Sequence, residues 1–288
     1  MSSSDVDWHQ RVKEPGISPF GLSALGELYN RGLFWAKARA LASALRSEHL
    51  PPPERRRCLD AGIGHGWLLR TWKREGVRAL EGLELVPEVA HRIRQSVPEA
   101  RIRVVDLASW EPYRSESYDL VCALDVLFYL CDDSSFAGAL ASLASVVCPG
   151  GLLVVSDLLG RPVAPSAGHR PWLSYARILH PLGFRCRRRR SIFVLGNLHP
   201  LKPRPELPAG AKYPLGFNVM WNLAHARSPL ARIPETLAVV GLYGLDALIL
   251  SQGGCWKSQE IAVWKREGGA PCSLDPGMRD LSKMGPPA

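Results

Sequence analysis

The chain has 288 residues, of which 46% are hydrophobic and 22% are charged, so it can form one α/β domain with an insertion or two small domains. The formal net charge of +9 admits a nucleic-acid or anionic-membrane partner, although much of the excess lies within residues 55–57 and 185–190. Seven cysteines without a C-x-x-C pair indicate neither a disulfide framework nor a zinc cluster, so we predict no metal site and a reducing cytoplasm.

The two ends of the chain are predicted to be disordered. Residues 1–17 are polar, and residues 266–288 are rich in Gly, Pro and Ser. The N-terminus lacks the pattern of a signal peptide. The most apolar run, residues 237–250, is too short to span a bilayer and contains Asp246. We therefore expect a soluble, cytoplasmic protein with no transmembrane segment, whose folded domain covers residues 18–265.

The first predicted element is one helix or two helices over residues 22–45. Ala, Leu, Arg and Lys dominate this stretch, and its apolar residues recur at helical spacing. Three prolines at positions 51–53 stop the pattern before the first predicted strand.

A glycine-rich bend follows that first strand. Residues 57–60 have the pattern of a short strand that closes on Asp60, and Gly62, Gly64 and Gly66 then turn the chain into a helix. Glycine adopts positive φ and has no Cβ, so the backbone can approach a ligand closely. The N-terminal end of the next helix offers unpaired N–H groups that suit a carboxylate or a phosphate. The pattern indicates a nucleotide-type site, and dinucleotide-binding sheets use a related pattern.

Four further strands are predicted over residues 80–85, 101–107, 117–125 and 152–156. The first three close on or near an acid, namely Glu84, Asp106 and Asp125, and helical patterns separate most of the strands. Strands that alternate with helices predict a parallel sheet with helices on both faces and ligands at the carboxyl edge. The four acids, Asp60 included, are therefore expected on one rim of the sheet.

The last two predicted strands flank an insertion. A helix over residues 171–182 and a strand over residues 184–195 come first, and residues 258–264 are the best match for the final strand. The connection of residues 196–254 is far longer than an ordinary hairpin loop, and its second half is apolar with a helical pattern. We interpret it as a lid over the substrate mouth.

The order of these motifs resembles that of the class I S-adenosylmethionine (SAM)-dependent methyltransferases, over roughly residues 20–195. The resemblance implies an α/β, Rossmann-like, doubly wound fold with a seven-stranded sheet whose last strand is antiparallel. It also implies SAM as the cofactor and S-adenosylhomocysteine as the product, and it agrees with the N-terminal helices and the helical lid insertion that the pattern predicts.

The resemblance also assigns the cofactor-binding residues. The glycine loop would hold the methionine moiety, Glu84 the ribose hydroxyls and Asp106 the adenine amino group. Leu85 and Leu107 would sandwich the adenine ring. The full predicted set is Tyr29, Asp60, Ala61, Gly62, Gly64, Gly66, Glu84, Leu85, Asp106, Leu107, Leu124 and Asp125. Tyr29 would belong to a helix over the cofactor, or would simply pack that helix onto the sheet.

A base for the acceptor is harder to predict. Methyl transfer from a sulfonium depends mainly on positioning and on exclusion of water, and a hydroxyl acceptor also benefits from a base. Residues 125–130 resemble a D-V-L-F-H-[IL] pattern of some bacterial methyltransferases, but Tyr129 stands at the histidine position. Tyr129 and Asp157, the acid after the fifth strand, are the candidate catalytic residues, and each is also compatible with a packing role.

We therefore expect methyl transfer to a small-molecule acceptor, with O-methylation of a natural product or another hydrophobic or aromatic metabolite as the default. Methyltransferases of exocyclic base amines usually carry [ND]-P-P-[YFW] after strand four, and residues 125–128 differ from it, so a nucleic-acid substrate is not favoured. Other chemistry on the same fold, such as cyclisation, and a catalytically silent binding subunit remain alternatives. The apolar insertion suits a hydrophobic acceptor, a homodimer contact or a packed lid equally well.

Overall fold

A seven-stranded sheet organises the chain. This computed structural model describes residues 8, 12, 26–113, 116–157, 168–192, 241, 244, 247, 250 and 259–268, without the side chains of residues 26–29. The strands are β1 (Arg57–Ala61), β2 (Ala79–Glu84), β3 (Arg101–Val104), β4 (Tyr118–Leu124), β5 (Val147–Asp157), β6 (Phe184–Ser191) and β7 (Glu260–Arg266). Their order across the sheet is β3-β2-β1-β4-β5-β7-β6. Strands β1 to β5 pair in parallel, and β7 runs antiparallel to both of its neighbours.

Helices cover both faces of this sheet. They are α1 (Gly26–Leu45), α2 (Trp67–Arg74), α3 (Pro87–Ser96), α4 (Asp133–Ser145) and α5 (Trp172–Leu179). Buried side chains of α1, α2 and α3 share one apolar cluster, and those of α4 and α5 share the other. Two such layers are what the alternation of buried residues along central parallel strands requires. The predicted Rossmann-like, doubly wound fold with an antiparallel last strand is confirmed.

Local chemistry explains where α3 and α4 begin. Pro87 occupies the first position of α3, where the missing N–H is not needed. Asp132 caps α4, because its carboxylate accepts hydrogen bonds from the amides of Ser134 and Ser135. These bonds lower the pKa of Asp132. Short 3-10 helices at Pro53–Arg55 and Leu127–Tyr129 complete the turns before β1 and after β4.

The predicted strand limits need four corrections. β1 continues through Asp60 to Ala61, and β3 ends at Val104, before Asp106. β5 begins at Val147 and includes the Pro-Gly-Gly sequence, because a register shift in its pairing with β4 accommodates the glycines. β7 extends to Arg266, beyond the predicted end at residue 264, and the Arg266 guanidinium donates to the carbonyl of Val147.

Some predictions lie outside the described residues. The lid at residues 196–254 is described only at four separate helical positions, 241, 244, 247 and 250, and residues 269–288 are not described. Within residues 1–17 only Trp8 and Val12 are described, and the Trp8 ring lies 4.8 Å from the Tyr129 ring. No helix in the described ranges is long and apolar enough to cross a membrane.

Candidate functional site

The bend after β1 favours glycine at its three glycine positions, and at two of them a side chain would also collide with its neighbours. Gly62, Gly64 and Gly66 have φ values of 72°, 51° and 74°, in the left-handed region. A Cβ at Gly62 would lie 2.7 Å from Cγ2 of Val126, and one at Gly66 would lie 2.9 Å from Cδ1 of Ile93. The bend therefore packs closely against the segment after β4 and against α3.

The loop amides mainly hold the loop in place. The amides of Gly62 and Ile63 both donate to the carbonyl of Leu83, at 2.9 and 3.2 Å, and the amide of Gly66 donates to the Ile63 carbonyl at 2.8 Å. This differs from the expectation that the glycines free the amides for a ligand. Helix α2 follows with no side-chain cap at Gly66, so its first-turn amides take over as the candidate donors.

Glu84, at the end of β2, joins the glycine loop to its neighbouring strand. Its Oε2 accepts from the amide of Gly64 at 3.1 Å, and its Oε1 accepts from the amide of Val86 at 3.0 Å. The side chain is buried, and burial raises its pKa. A carboxylate offers about four lone-pair positions, so two remain for hydroxyl donors.

Asp60, near the end of β1, is buried close to Glu84. Burial raises its pKa well above the ordinary value, and the nearby Glu84 carboxylate adds to the shift. Ala61, the next residue, is fully buried in the opposite apolar cluster and contributes only its backbone to the rim. Burial thus disfavours the charged forms of the Asp60 and Glu84 carboxyl groups, and a cationic ligand beside them would offset that cost.

The ends of β2 and β3 carry an exposed apolar patch. Leu85 is 39% exposed and Val104 is 42% exposed. Asp106 is exposed, and its carboxylate accepts from the amide of Ala108 at 2.9 Å. Leu107 is instead buried in a core cluster, so it is less accessible than Leu85. Sequence reasoning missed Val104. The apolar residue at the end of β3 was the only pattern that could have indicated it.

Asp125, directly after β4, is held by side chains from three other segments of the chain. Its φ is 58°, in the left-handed region, and its amide donates to Oγ of Ser156 at 2.8 Å. The Ser156 hydroxyl donates to Oδ1 of Asp125 at 2.6 Å. Lys37 of α1 forms an ion pair with the carboxylate, and the side-chain amide of Gln259 donates to it. Sequence reasoning missed these three partners, because no motif connects them.

Helix α1 lies over the glycine loop. The Phe34 ring is 4.1 Å from the ring of His65, and the ammonium of Lys37 is 4.9 Å from the Phe34 ring. Burial, together with the charges of Arg70 and Lys37, lowers the pKa of His65 to about 4. The imidazole is therefore neutral at physiological pH and acts as a packing group.

Three other predicted residues take different positions. Leu124, at the end of β4, is partly buried against the cluster that includes α1. Tyr129 lies in the 3-10 helix after β4, with its ring 4.5 Å from that of Phe128. The backbone of Tyr29 is part of α1, but its side chain is outside the described set.

Asp157, at the end of β5, is the centre of a buried polar cluster. Its side chain is fully buried. Its Oδ2 accepts from the hydroxyl of Tyr175 at 2.6 Å, and its Oδ1 lies 2.6 Å from Nδ1 of His169. Burial and the Asp157 carboxylate raise the pKa of Tyr175, which keeps the hydroxyl protonated as a donor. Asp157 is thus enclosed by protein groups, and His169, which sequence reasoning did not identify, is one of its partners.

Arg170 fixes the segment that carries His169. Its Nε donates to Asp133 at 2.9 Å, and its terminal nitrogens donate to the carbonyls of Leu130, Gly168 and Cys131 at 2.8 to 2.9 Å. The amide of Gly168 also donates to the carbonyl of Phe128 at 2.7 Å. His169 is consequently held beside the segment that follows β4.

The comparison with protein families agrees with this geometry. Residues 59–155 match the family model described as a methyltransferase domain. This part of the chain, which spans β1 to β5, thus has the sequence of a methyltransferase domain, and it resembles the class I SAM-dependent methyltransferases. A search of curated proteins finds no match to this chain.

Solved structures share the fold of this chain at low sequence identity. The complex between the Haloferax volcanii Trm112 methyltransferase activator and a methyltransferase matches with a TM-score of 0.51 and 15% identity, over 84% of this chain and 98% of the other. A SAM-dependent methyltransferase from Mesorhizobium loti matches with a TM-score of 0.51 and 16% identity, over 83% and 100%. The StiE O-MT, residues 961–1257, matches with a TM-score of 0.50 and 18% identity, over 83% and 76%. These likenesses establish the fold.

SAM is the cofactor of this family, and the residues at the rim fit it. Glu84 retains acceptor capacity for a ribose diol, and its raised pKa reflects a buried carboxyl group that hydroxyl donors would satisfy. The exposed apolar patch of Leu85 and Val104 suits a flat purine ring. The buried carboxyl group of Asp60 suits the positive end of the ligand.

Proposed function

We propose that this methyltransferase transfers the methyl group of SAM to an oxygen atom of a small hydrophobic or aromatic acceptor. The observation that supports this most directly is the bond between the Gly64 amide and the Glu84 carboxylate, at 3.1 Å. It places an acid with spare acceptor positions against a bend whose three glycines adopt left-handed φ values. When bound, SAM supplies a methyl group that its sulfonium already activates for displacement.

In this proposal each rim residue has a binding role. The Glu84 carboxylate accepts hydrogen bonds from the two ribose hydroxyls, and Leu85 and Val104 contact the adenine ring. The Asp106 carboxylate accepts a hydrogen bond from the adenine amino group. The first-turn amides of α2 bind the methionine carboxylate, since a helix N-terminus favours an anion. Asp60 attracts the methionine ammonium group. Leu124 and Asp125 border the methionine end.

The acceptor would enter beside the aromatic side chains after β4. Phe128 and Tyr129 are in ring contact, and Trp8 packs edge-on against Tyr129. Aromatic walls bind flat apolar molecules and exclude water, which favours displacement at the methyl carbon. This supports a hydrophobic or aromatic acceptor over a free sugar.

Calorimetry with SAM and S-adenosylhomocysteine tests the cofactor site. We expect both to bind the purified protein, and Glu84→Gln to weaken both by about 1–3 kcal/mol, the range for a lost buried hydrogen-bond partner. Both ligands contain the same ribose, so the two losses should be equal. Glu88→Gln, an exposed acid in the first turn of α3, is the matched control and should bind as the wild type does. Folded protein that releases no heat with either ligand would refute the proposed function.

A further inference from the structure

The histidine that contacts the buried acid of β5 has the geometry of a catalytic base. We propose that His169 removes the proton of an aromatic hydroxyl acceptor during methyl transfer, with Asp157 and Tyr175 as its positioning residues. This inference rests on the proposed function and adds to it the base and the acceptor class.

The hydrogen bonds around Asp157 select one tautomer of His169. A carboxylate only accepts hydrogen bonds, so the 2.6 Å contact between Nδ1 of His169 and Oδ1 of Asp157 places the imidazole proton on Nδ1. In the neutral imidazole, Nε2 on the far edge of the ring then keeps its lone pair. The Tyr175 hydroxyl and the Arg170 amide both donate to Oδ2, so the buried carboxylate is stabilised and its orientation is fixed. An acid that orients a histidine in this way is the arrangement of base catalysis.

His169 lies on the side of the sheet edge where the acceptor is proposed to bind, opposite to the side proposed for the cofactor. Asp157 ends β5 one residue after Ser156, whose hydroxyl bonds Asp125 at the methionine end. Side chains alternate along a strand, so the two residues face opposite sides of the same carboxyl edge. The His169 ring also lies 4.6 Å from the ring of Phe128, within the aromatic segment after β4.

The segment is rigid enough for a base. The guanidinium of Arg170 bonds three backbone carbonyls and Asp133, and it lies 4.1 Å from the centre of the Phe136 ring. A general base must be held within hydrogen-bond reach of the proton that it removes. Arg170 supplies that rigidity without touching the acceptor.

The reaction balances with the groups named. The acceptor O–H bond breaks as its proton passes to Nε2 of His169, and the oxygen lone pair forms the new O–CH3 bond. The CH3–S bond breaks, and its electron pair remains on sulfur, which becomes a neutral thioether. The imidazolium returns its proton to water. An aromatic hydroxyl fits this step, because its neighbours are aromatic rings and because it ionises more readily than an alcohol.

The first test needs neither cofactor nor acceptor. Long-range 1H–15N NMR of the free protein reports which imidazole nitrogen carries the proton. We expect the Nδ1–H tautomer for His169 in the wild type, and a gain of the Nε2–H tautomer in Asp157→Asn. A wild-type spectrum dominated by the Nε2–H tautomer would overturn the inference, because Nε2 would then have no lone pair to offer.

The second test compares two phenols with isotope-labelled SAM. Para-cresol needs a base, whereas para-nitrophenol ionises by itself near neutral pH. For His169→Gln we expect kcat/KM to fall about 100-fold or more with para-cresol and less than about 10-fold with para-nitrophenol, since a general base contributes 10²–10⁴-fold. His180→Gln, an exposed histidine just after α5, is the control and should keep both rates.

The outcomes separate this inference from the proposed function. Equal losses with the two phenols, or no loss, would overturn the role of His169 as a base. A wild-type protein that binds SAM but methylates neither phenol would overturn the acceptor class and leave the cofactor site standing. Absence of SAM binding on folded protein would instead remove the proposed function itself.

Discussion

Lys37, in the helix before the first strand, forms an ion pair with Asp125 at the carboxyl end of β4, 88 positions along the chain. The ammonium group is nearly buried, whereas the Asp125 side chain is 24% exposed at the rim. The pair ties α1 to the edge of the sheet where the cofactor is proposed to bind.

Lys37→Met is expected to lower the free energy of unfolding by about 1–3 kcal/mol, because Asp125 loses a charged partner but keeps the Ser156 and Gln259 bonds. Asp125→Asn suits the left-handed backbone of that position and removes the charge. Urea unfolding of the two single variants and the double variant measures the coupling. We expect a coupling of about 0.5–3 kcal/mol, the range for residues in contact, and strict additivity would contradict the ion pair.

Asp60→Asn is expected to stabilise the protein while it weakens SAM binding. The pKa of Asp60 is raised in the folded state, so the folded protein retains this proton to higher pH than the unfolded chain does. Its contribution to stability is therefore complete below the ordinary value of 3.8 and is lost as pH rises through the folded-state pKa. At neutral pH we expect the asparagine variant to gain about 0.5–2 kcal/mol, the usual range for a stabilising substitution.

Urea midpoints between pH 4 and pH 8 check this prediction. The wild type should lose more stability than Asp60→Asn as pH rises, and Glu88→Gln should follow the wild type. A variant that is less stable than the wild type at neutral pH would show that the Asp60 charge is compensated in the fold.

Gly62→Ala should destabilise the protein by about 1–3 kcal/mol and abolish SAM binding, because a left-handed backbone and a close contact coincide there. Val126→Ala in the same chain should recover only a small part of the loss, since Cβ of residue 126, 2.8 Å from the added Cβ, and the φ of 72° both remain. Gly138→Ala is the matched control, because a Cβ at Gly138 in α4 meets nothing within 4 Å, so it should stabilise by about 0.5–1 kcal/mol. Thermal unfolding and calorimetry measure both effects, and equal behaviour of the two alanine variants would contradict the role of the bend.

The sheet edge was predictable because it depends on local patterns. Apolar runs of strand length, separated by helical patterns, determine a parallel sheet, and the residues that close each strand then share one edge. Glu84 and the glycine bend follow from this rule and are found together. The limits of β5 were not predictable, because whether a Pro-Gly-Gly sequence stays in a strand depends on a register shift in its neighbour.

The polar cluster around Asp157 was not predictable from the sequence alone. Asp157 and His169 are only 12 positions apart, but nothing in that spacing indicates that their side chains meet. The cluster forms because β5 delivers Asp157 into the apolar layer of α4 and α5, where a buried carboxylate requires donors. Tyr175 and His169 supply them.

The sequence by itself determined the order of the strands and helices along the chain, the glycine bend and the acids at the carboxyl edge of the sheet, because short-range periodicity and backbone preference encode them. Only the tertiary structure decided which polar side chains are buried against one another: Lys37 with Asp125, and Asp157 with His169 and Tyr175. The physical reason is that the cost of burying a charge depends on the partners that packing brings to it, and those partners come from distant segments.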